Sequence, residues 1–220
     1  SNITIEDFKT HIEFLSSDQL GGRGAGTEGD KLAVSYIKKR FYDASPNKGT
    51  VEVQEHYVFK DRRQKKDKVL TYNVIGYLVG NDEKLKDEFV VVGGHYDTTA
   101  NAPGKINNGA DDNASGTSMV IELFEKFAST NNHKRTLVFM AFGGEELGLL
   151  GSKHFVNNPT IDLDKVHLMV NLDMIGRMED NIVQLGGAAT AENFSSRLYP
   201  FLMEENVNVI ELGKGIFSRS

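Results

Sequence analysis

The chain has 220 residues, 31 acidic and 25 basic side chains, a net charge of −6, no cysteine and a hydrophobic share of 39%. That length suits one domain with its own core, because domains run to roughly 250 residues before they divide. The lack of thiols excludes disulfides and thiolate metal sites, the acidic balance argues against a nucleic-acid partner, and no apolar run approaches the roughly 20 residues that cross a bilayer.

Residues 5–20 place Ile5, Phe8, Ile12 and Leu15 at near-helical spacing, and residues 32–41 repeat the pattern through Leu32, Tyr36, Ile37 and Phe41, so two helices open the chain. Between them Gly24, Gly26 and Gly29 match the G-x-G-x-x-G spacing of dinucleotide sites. They follow a helix where that fingerprint requires a strand, and the segment reads as a turn. Residues 51–59 alternate and residues 72–79 are rich in β-formers, which predicts paired strands at a sheet edge. The charge run KDRRQKKDK (60–68) that joins them reads as a solvated hairpin loop. Next come a strand at 88–93 and a helix at 115–127, with Asn113 or Ser115 as its N-cap. A further apolar strand precedes Gly143, and a helix follows at 147–156. Strands at 166–172 and 181–185, a helix near 191–205 and a strand at 207–212 close the order. Alternation of this kind predicts an α/β, three-layer sandwich: a mixed, mostly parallel central sheet with helices on both faces.

Three apolar runs stop abruptly at acidic or imidazole side chains: EFVVVGGHYD (88–97), RTLVFMAFGGEE (135–146) and VHLMVNLD (166–173). Strands of an open α/β sheet present ligands at their carboxyl ends, so His95, Asp97, Glu145, Glu146 and Asp173 are expected in one crevice. His95 and Asp97 leave the strand on one face, where a carboxylate can take the spare N–H of a metal-binding imidazole. In GADDNASG (109–116) a helix N-cap needs a single acceptor, which Asn113 or Ser115 can supply. At least one of Asp111 and Asp112 is therefore surplus to capping. Glu145 and Glu146 diverge from adjacent positions, so one can bind metal while the other reaches water. Carboxylates crowded at buried strand ends repel unless a cation or proton intervenes, and with no thiols the composition is that of a metal site.

The segments GGHYD (93–97), GADDNASG (109–116), FGGEELGLLGS (142–152) and NLDMIGR (171–177), together with the opening FLSSDQLGGRGAGTEGDKLAVSYI (14–37), resemble the co-catalytic zinc aminopeptidases that include bacterial secreted leucine aminopeptidases. The resemblance implies two Zn2+ per complete domain: His95 and Asp173 as ligands of one, Glu146 of the other, and Asp112 bridging them. It further implies Asp97 orienting His95, Glu145 as general base, a cis peptide at Asp112–Asn113, and peptide substrates cleaved at their N-terminal bond. Members of that family take one more zinc ligand from a histidine in a Ser-Asp-His context, and the sequence ends at Phe217-Ser218-Arg219-Ser220 where that context is expected. Residues 1–220 are thus expected to form a single metallopeptidase domain lacking its C-terminal portion, with the Glu146 zinc position one ligand short. His154 and His167 lie too far along their elements to substitute, and His11, His56 and His133 read as surface or structural residues without an acidic companion. A secreted or periplasmic location is expected over a cytoplasmic one. Two other readings are a glutaminyl cyclase-type acyltransferase and a non-catalytic, peptidase-like recognition domain. The paired motifs and the presence of Glu145 favour the peptidase over both.

Overall fold

A computed structural model of the chain describes residues 3–45, 49–61, 63–190 and 192–212. Helix α1 (Ile5–Leu15) starts at Thr4, whose hydroxyl accepts the Asp7 N–H at 3.1 Å, with Glu6 and Asp7 complementing the positive end of the helix. Helix α2 (Glu28–Ala44) is capped the same way by Thr27. The glycine-rich segment between them forms the expected turn, in which Gly26 takes φ +76°, a conformation that favours glycine.

Strands β1 (Gly49–Asp61) and β2 (Lys66–Leu78) form an antiparallel hairpin with β1 at the sheet edge. Both run further than their alternating cores suggested, so much of the charge run 60–68 lies in the strands and not in a loop. Ladder bonds sustain such an exposed ribbon without apolar side chains, and the Lys68 ammonium lies 4.3 Å from the centre of the Tyr57 ring.

The remaining elements of the main sheet are β3 (Phe89–His95), α3 (Gly116–Thr130), β4 (Thr136–Phe142), α4 (Leu150–Asn157) and β5 (Val166–Asn171). Strand order is β1-β2-β4-β3-β5, with β2 antiparallel to β4 and with β4, β3 and β5 parallel. All seven residues of β4 are buried because the strand is covered on both faces. Leu137, Phe139 and Ala141 join the core beneath α1, α2 and α3, while Val138, Met140 and Phe142 join a second core with Phe155 of α4. This explains why β4 reads as an unbroken apolar run.

Helix α4 starts three residues later than its apolar spacing suggested. Gly148 and Leu149 adopt left-handed backbone angles, and the Gly148 N–H closes a turn on the Glu145 carbonyl at 2.7 Å. The segment carrying Glu145 and Glu146 is therefore a tight turn leaving β4. Strands β6 (Ile182–Leu185) and β7 (Asn208–Glu211), joined through α5 (Phe194–Glu204), pair in parallel as a separate two-stranded sheet. Four residues each, they pair with one another and not with the main sheet.

Candidate metal centre

Parallel strands in register bring their carboxyl ends level. His95 pairs with Phe142 across β3 and β4, and Gly93 pairs with Asn171 across β3 and β5. Asp173, two residues beyond the β5 pairing, thus comes alongside His95. The fourth contribution arrives from the loop before α3, which turns back toward β5 through Asn113. Its amide oxygen accepts the N–H groups of Gly116 at 2.9 Å and Met174 at 3.2 Å, and its amide nitrogen donates to the Leu172 carbonyl at 3.0 Å. Asn113 is thus the group that caps α3, and the Asp112–Asn113 peptide is cis.

The two aspartates of this loop separate. Asp111 accepts the Gly176 N–H at 3.0 Å and lies 3.1 Å from Arg177 Nε, binding the loop to the chain after β5. Asp112 turns to the centre, its Oδ1 standing 3.1 Å from His95 Nε2. Asp173 Oδ1 is 3.6 Å and Glu145 Oε2 3.9 Å from the same imidazole nitrogen. His95, Asp112 and Asp173 each offer a ligand atom, and these atoms lie within 4.8 Å of one another. Asp97 and Glu146 stand outside that triplet.

The main-chain carbonyl of Asp97 lies 3.1 Å from His95 Nδ1, closer than the 3.6 Å of its carboxylate. The fully buried carboxylate mainly serves another purpose: it accepts the N–H groups of Glu145 at 3.1 Å and Glu146 at 3.3 Å. Asp97 thereby fixes the turn that presents both glutamates. His95 still has an acceptor at Nδ1, which leaves Nε2 facing the carboxylates.

The electrostatics are those of a site that wants a cation. Burial works against a charged imidazole, yet Asp112, Asp173 and Asp97 overcome it and hold the His95 pKa up to about 12. Burial raises Glu146 to about 7, helped by the neighbouring charge of Asp112. Asp173 Oδ1 is buried and receives no hydrogen bond, which is unusual for a carboxylate oxygen unless a cation completes it. One imidazole nitrogen and carboxylate oxygens converging on a point suit zinc.

Two features escaped the sequence reading. Arg23 is fully buried and donates to the carbonyls of Leu15, Tyr96, Asn108 and Gly109, the last at 2.9 Å, while its own N–H reaches Thr98 Oγ1 at 3.0 Å. It ties the end of α1 to the chain just after His95 and to the approach to Asp112. Its position in GGRGAG carried no warning, because main-chain partners leave no pattern in the side chains. His11 corrects an expectation: it is 1% exposed, with Glu122 Oε1 3.0 Å from Nε2 and Tyr36 Oη 2.7 Å from Nδ1. Its acidic companion lies on α3, a contact that no local spacing reveals. His167, by contrast, is exposed beside Glu88, away from the centre.

The description "Peptidase family M28" matches residues 73–211. Aminopeptidase YwaD of Bacillus subtilis is 40% identical over 105 residues, covering 47% of this chain and 22% of that protein. Leupeptin-inactivating enzyme 1 of Streptomyces exfoliatus is 29% identical over 180 residues, covering 80% of this chain and 37% of the enzyme. This chain therefore spans well under half the length of either relative. Among solved structures, a Tannerella forsythia glutaminyl cyclase superimposes with a TM-score of 0.77 at 18% identity, covering 99% of this chain and 79% of the cyclase. At that identity the likeness is one of fold. With more than half of its residues matched, the chain belongs to peptidase family M28.

Proposed function

We propose that this chain carries the metal centre of a zinc-dependent exopeptidase that hydrolyses the N-terminal bond of peptides. The observation that carries the reading is the convergence of His95, Asp112 and the hydrogen-bond-free Asp173 Oδ1, with Glu145 3.9 Å from the shared imidazole nitrogen. Family membership and the aminopeptidase name of the Bacillus subtilis relative support it. His95 and Asp173 would hold one zinc and Glu146 a second, with Asp112 shared between them. Zinc supplies a Lewis acid for the scissile carbonyl and makes water acidic enough to attack near neutral pH. Glu145 takes the proton from the attacking water on its carboxylate and returns it to the departing amine. Asp97 keeps Glu145 and Glu146 aimed by holding their N–H groups.

Glutaminyl cyclisation is the rival, raised by the fold of the Tannerella forsythia enzyme. Cyclisation also moves a proton, from the attacking α-amine to the departing ammonia, so Glu145 can serve either reaction. The peptidase family and the aminopeptidase name of the Bacillus subtilis relative favour hydrolysis. Release of the coloured amine from leucine p-nitroanilide by the zinc-loaded full-length protein is the expected result. A protein that closes the ring of a glutaminyl peptide and leaves the anilide intact would overturn the assignment.

A further inference from the structure

Away from the metal centre, a second histidine meets carboxylates. His11 of α1 and Glu122 of α3 are 1% and 4% exposed and face each other between the two helices. His11 Nε2 stands 3.0 Å from Glu122 Oε1, yet among the described residues neither atom makes a hydrogen bond. Buried polar atoms are rarely left in this state. The Tyr36 hydroxyl of α2 lies 2.7 Å from His11 Nδ1, so that ring nitrogen has its partner and Nε2 is aimed at the carboxylate. Glu125, almost one turn further along α3, adds a third group: one ligand atom from each of His11, Glu122 and Glu125 lies within 4.8 Å of the others. Arg40 of α2 holds Glu125 in place through both arms of its fork, Nε at 2.8 Å and Nη2 at 2.9 Å.

A proton or a metal ion can relieve two lone pairs that point at each other, and the surrounding charge separates the two cases. Burial, then the like charges of Glu125 and Asp7, push the Glu122 pKa up to about 7, and Arg40 offsets them only in part. Burial, then Arg40, brings His11 down to about 4, which leaves the imidazole neutral at pH 7, the form that ligates metal. One shared proton would leave the carboxylates of Asp7, Glu122 and Glu125 in excess of the Arg40 guanidinium, whereas a divalent cation balances them. We propose that His11, Glu122 and Glu125 form a second metal site, between α1 and α3, for a divalent transition ion of the zinc class. An imidazole and carboxylate oxygens without thiolate suit that class. The site shares no ligand with the centre around His95, and it pins the first helix to α3. The Arg40 charge beside Glu125 makes it the weaker position, so it fills after the centre. It stands whether or not the chain is a peptidase.

The test empties the first centre and reads the second. His95→Ala with Asp112→Ala removes two of the converging ligands and leaves His11, Glu122 and Glu125 untouched. In that full-length variant, equilibrium dialysis with atomic absorption is expected to show a single Zn2+ held. Co2+ is expected to broaden the His11 ring resonances, identified by their loss in His11→Gln. Tyr36→Phe keeps the stack on Phe14, whose ring centre is 4.2 Å away, and loses only the hydroxyl. Partners of a ligating histidine commonly carry about 10–100-fold of metal affinity, so Tyr36→Phe is expected to weaken zinc binding by that factor and Glu122→Gln by at least as much. In the otherwise wild-type chain saturated with zinc, Glu122→Gln is expected to lower the ion count by one. No ion held by the emptied variant, or His11 resonances that stay sharp with Co2+, would overturn the site and make the pair a proton-sharing contact. Zinc affinity unchanged in both Tyr36→Phe and Glu122→Gln, or an unchanged ion count in the wild-type chain, would also overturn it. None of these readouts needs activity, so the site and the exopeptidase reading fail separately.

Discussion

The Asp97 carboxylate accepts the main-chain N–H of Glu145 at 3.1 Å, so the residue expected to orient a histidine also fixes the backbone of the proposed general base. Its other oxygen takes the Glu146 N–H at 3.3 Å. Asp97→Asn keeps the shape but presents an N–H where one of those donors needs an acceptor. Loss of such supporting contacts commonly costs about 10–100-fold in activity or metal affinity. We expect kcat at saturating zinc to fall within that range while leucine p-nitroanilide still binds. An Asp97→Asn variant with wild-type kcat would show that the turn holds the glutamates unaided.

Glu145→Gln tests proton transfer. The amide preserves size and cannot take a proton from water, so turnover is expected to fall by about 10²–10⁴-fold, the span attributed to general acid–base catalysis. Zinc content measured by atomic absorption is expected to match wild type. Loss of zinc together with turnover would move Glu145 from proton transfer to metal binding.

Arg23 has four carbonyl partners and little exposure, so its removal leaves several buried acceptors empty. Each unsatisfied buried group costs about 1–3 kcal/mol. Arg23→Met, close in volume, is expected to lower unfolding stability by at least about 3 kcal/mol in urea titration. Arg23→Lys is expected to recover only part, because a single ammonium cannot span the carbonyls of Leu15 and Gly109 together. Full recovery by Lys would mean that charge matters here and the fork does not.

These residues also show what was legible in the sequence. The unbroken run of β4 was readable because both faces of that strand are buried, and three such runs ending in acids located the crevice. The choice between Asp111 and Asp112 was not readable, since it depends on Gly176 and Arg177 arriving from beyond β5. Arg23 and the pairing of His11 with Glu122 stayed hidden for the same reason: their partners are main-chain atoms or lie on distant helices. Residues 60–61 of β1 and 66–68 of β2 read as loop because an exposed ribbon needs hydrogen bonds more than apolar residues.

Asp30 adds a pH dependence. It is fully buried, and burial raises its pKa from 3.8 to about 6 despite hydrogen bonds from Tyr96, Gly26 and Thr71. A carboxyl whose folded pKa lies above its unfolded value favours folding when protonated. Its contribution is therefore greatest below pH 3.8 and is lost as pH rises to about 6. The rise is worth about 3 kcal/mol. Asp30→Asn cannot ionise, and it sacrifices hydrogen bonds at every pH. The stability advantage of wild type over Asp30→Asn is thus expected to shrink by about that amount between pH 4 and pH 7 in matched denaturant titrations. An advantage that stays constant or grows across this interval would place the titration elsewhere.

Asp111 and Asp112 are neighbours with opposite partners, and zinc should tell them apart. A ligand that binds only the folded chain stabilises it by about 2.7 kcal/mol at a concentration one hundred times its Kd. Asp112 Oδ1 stands 3.1 Å from His95 Nε2 and belongs to the converging triplet, so Asp112→Ala is expected to abolish most of the zinc-induced shift in the unfolding midpoint. Asp111 instead accepts the Gly176 N–H and pairs with Arg177, so Asp111→Ala is expected to lower the midpoint of the metal-free protein and to keep most of the zinc shift. Calorimetry with and without zinc reads both effects. Equal zinc shifts in the two variants would mean that Asp112 is no ligand, because the change that empties its contact with His95 would then matter no more than one that loosens the loop beside it.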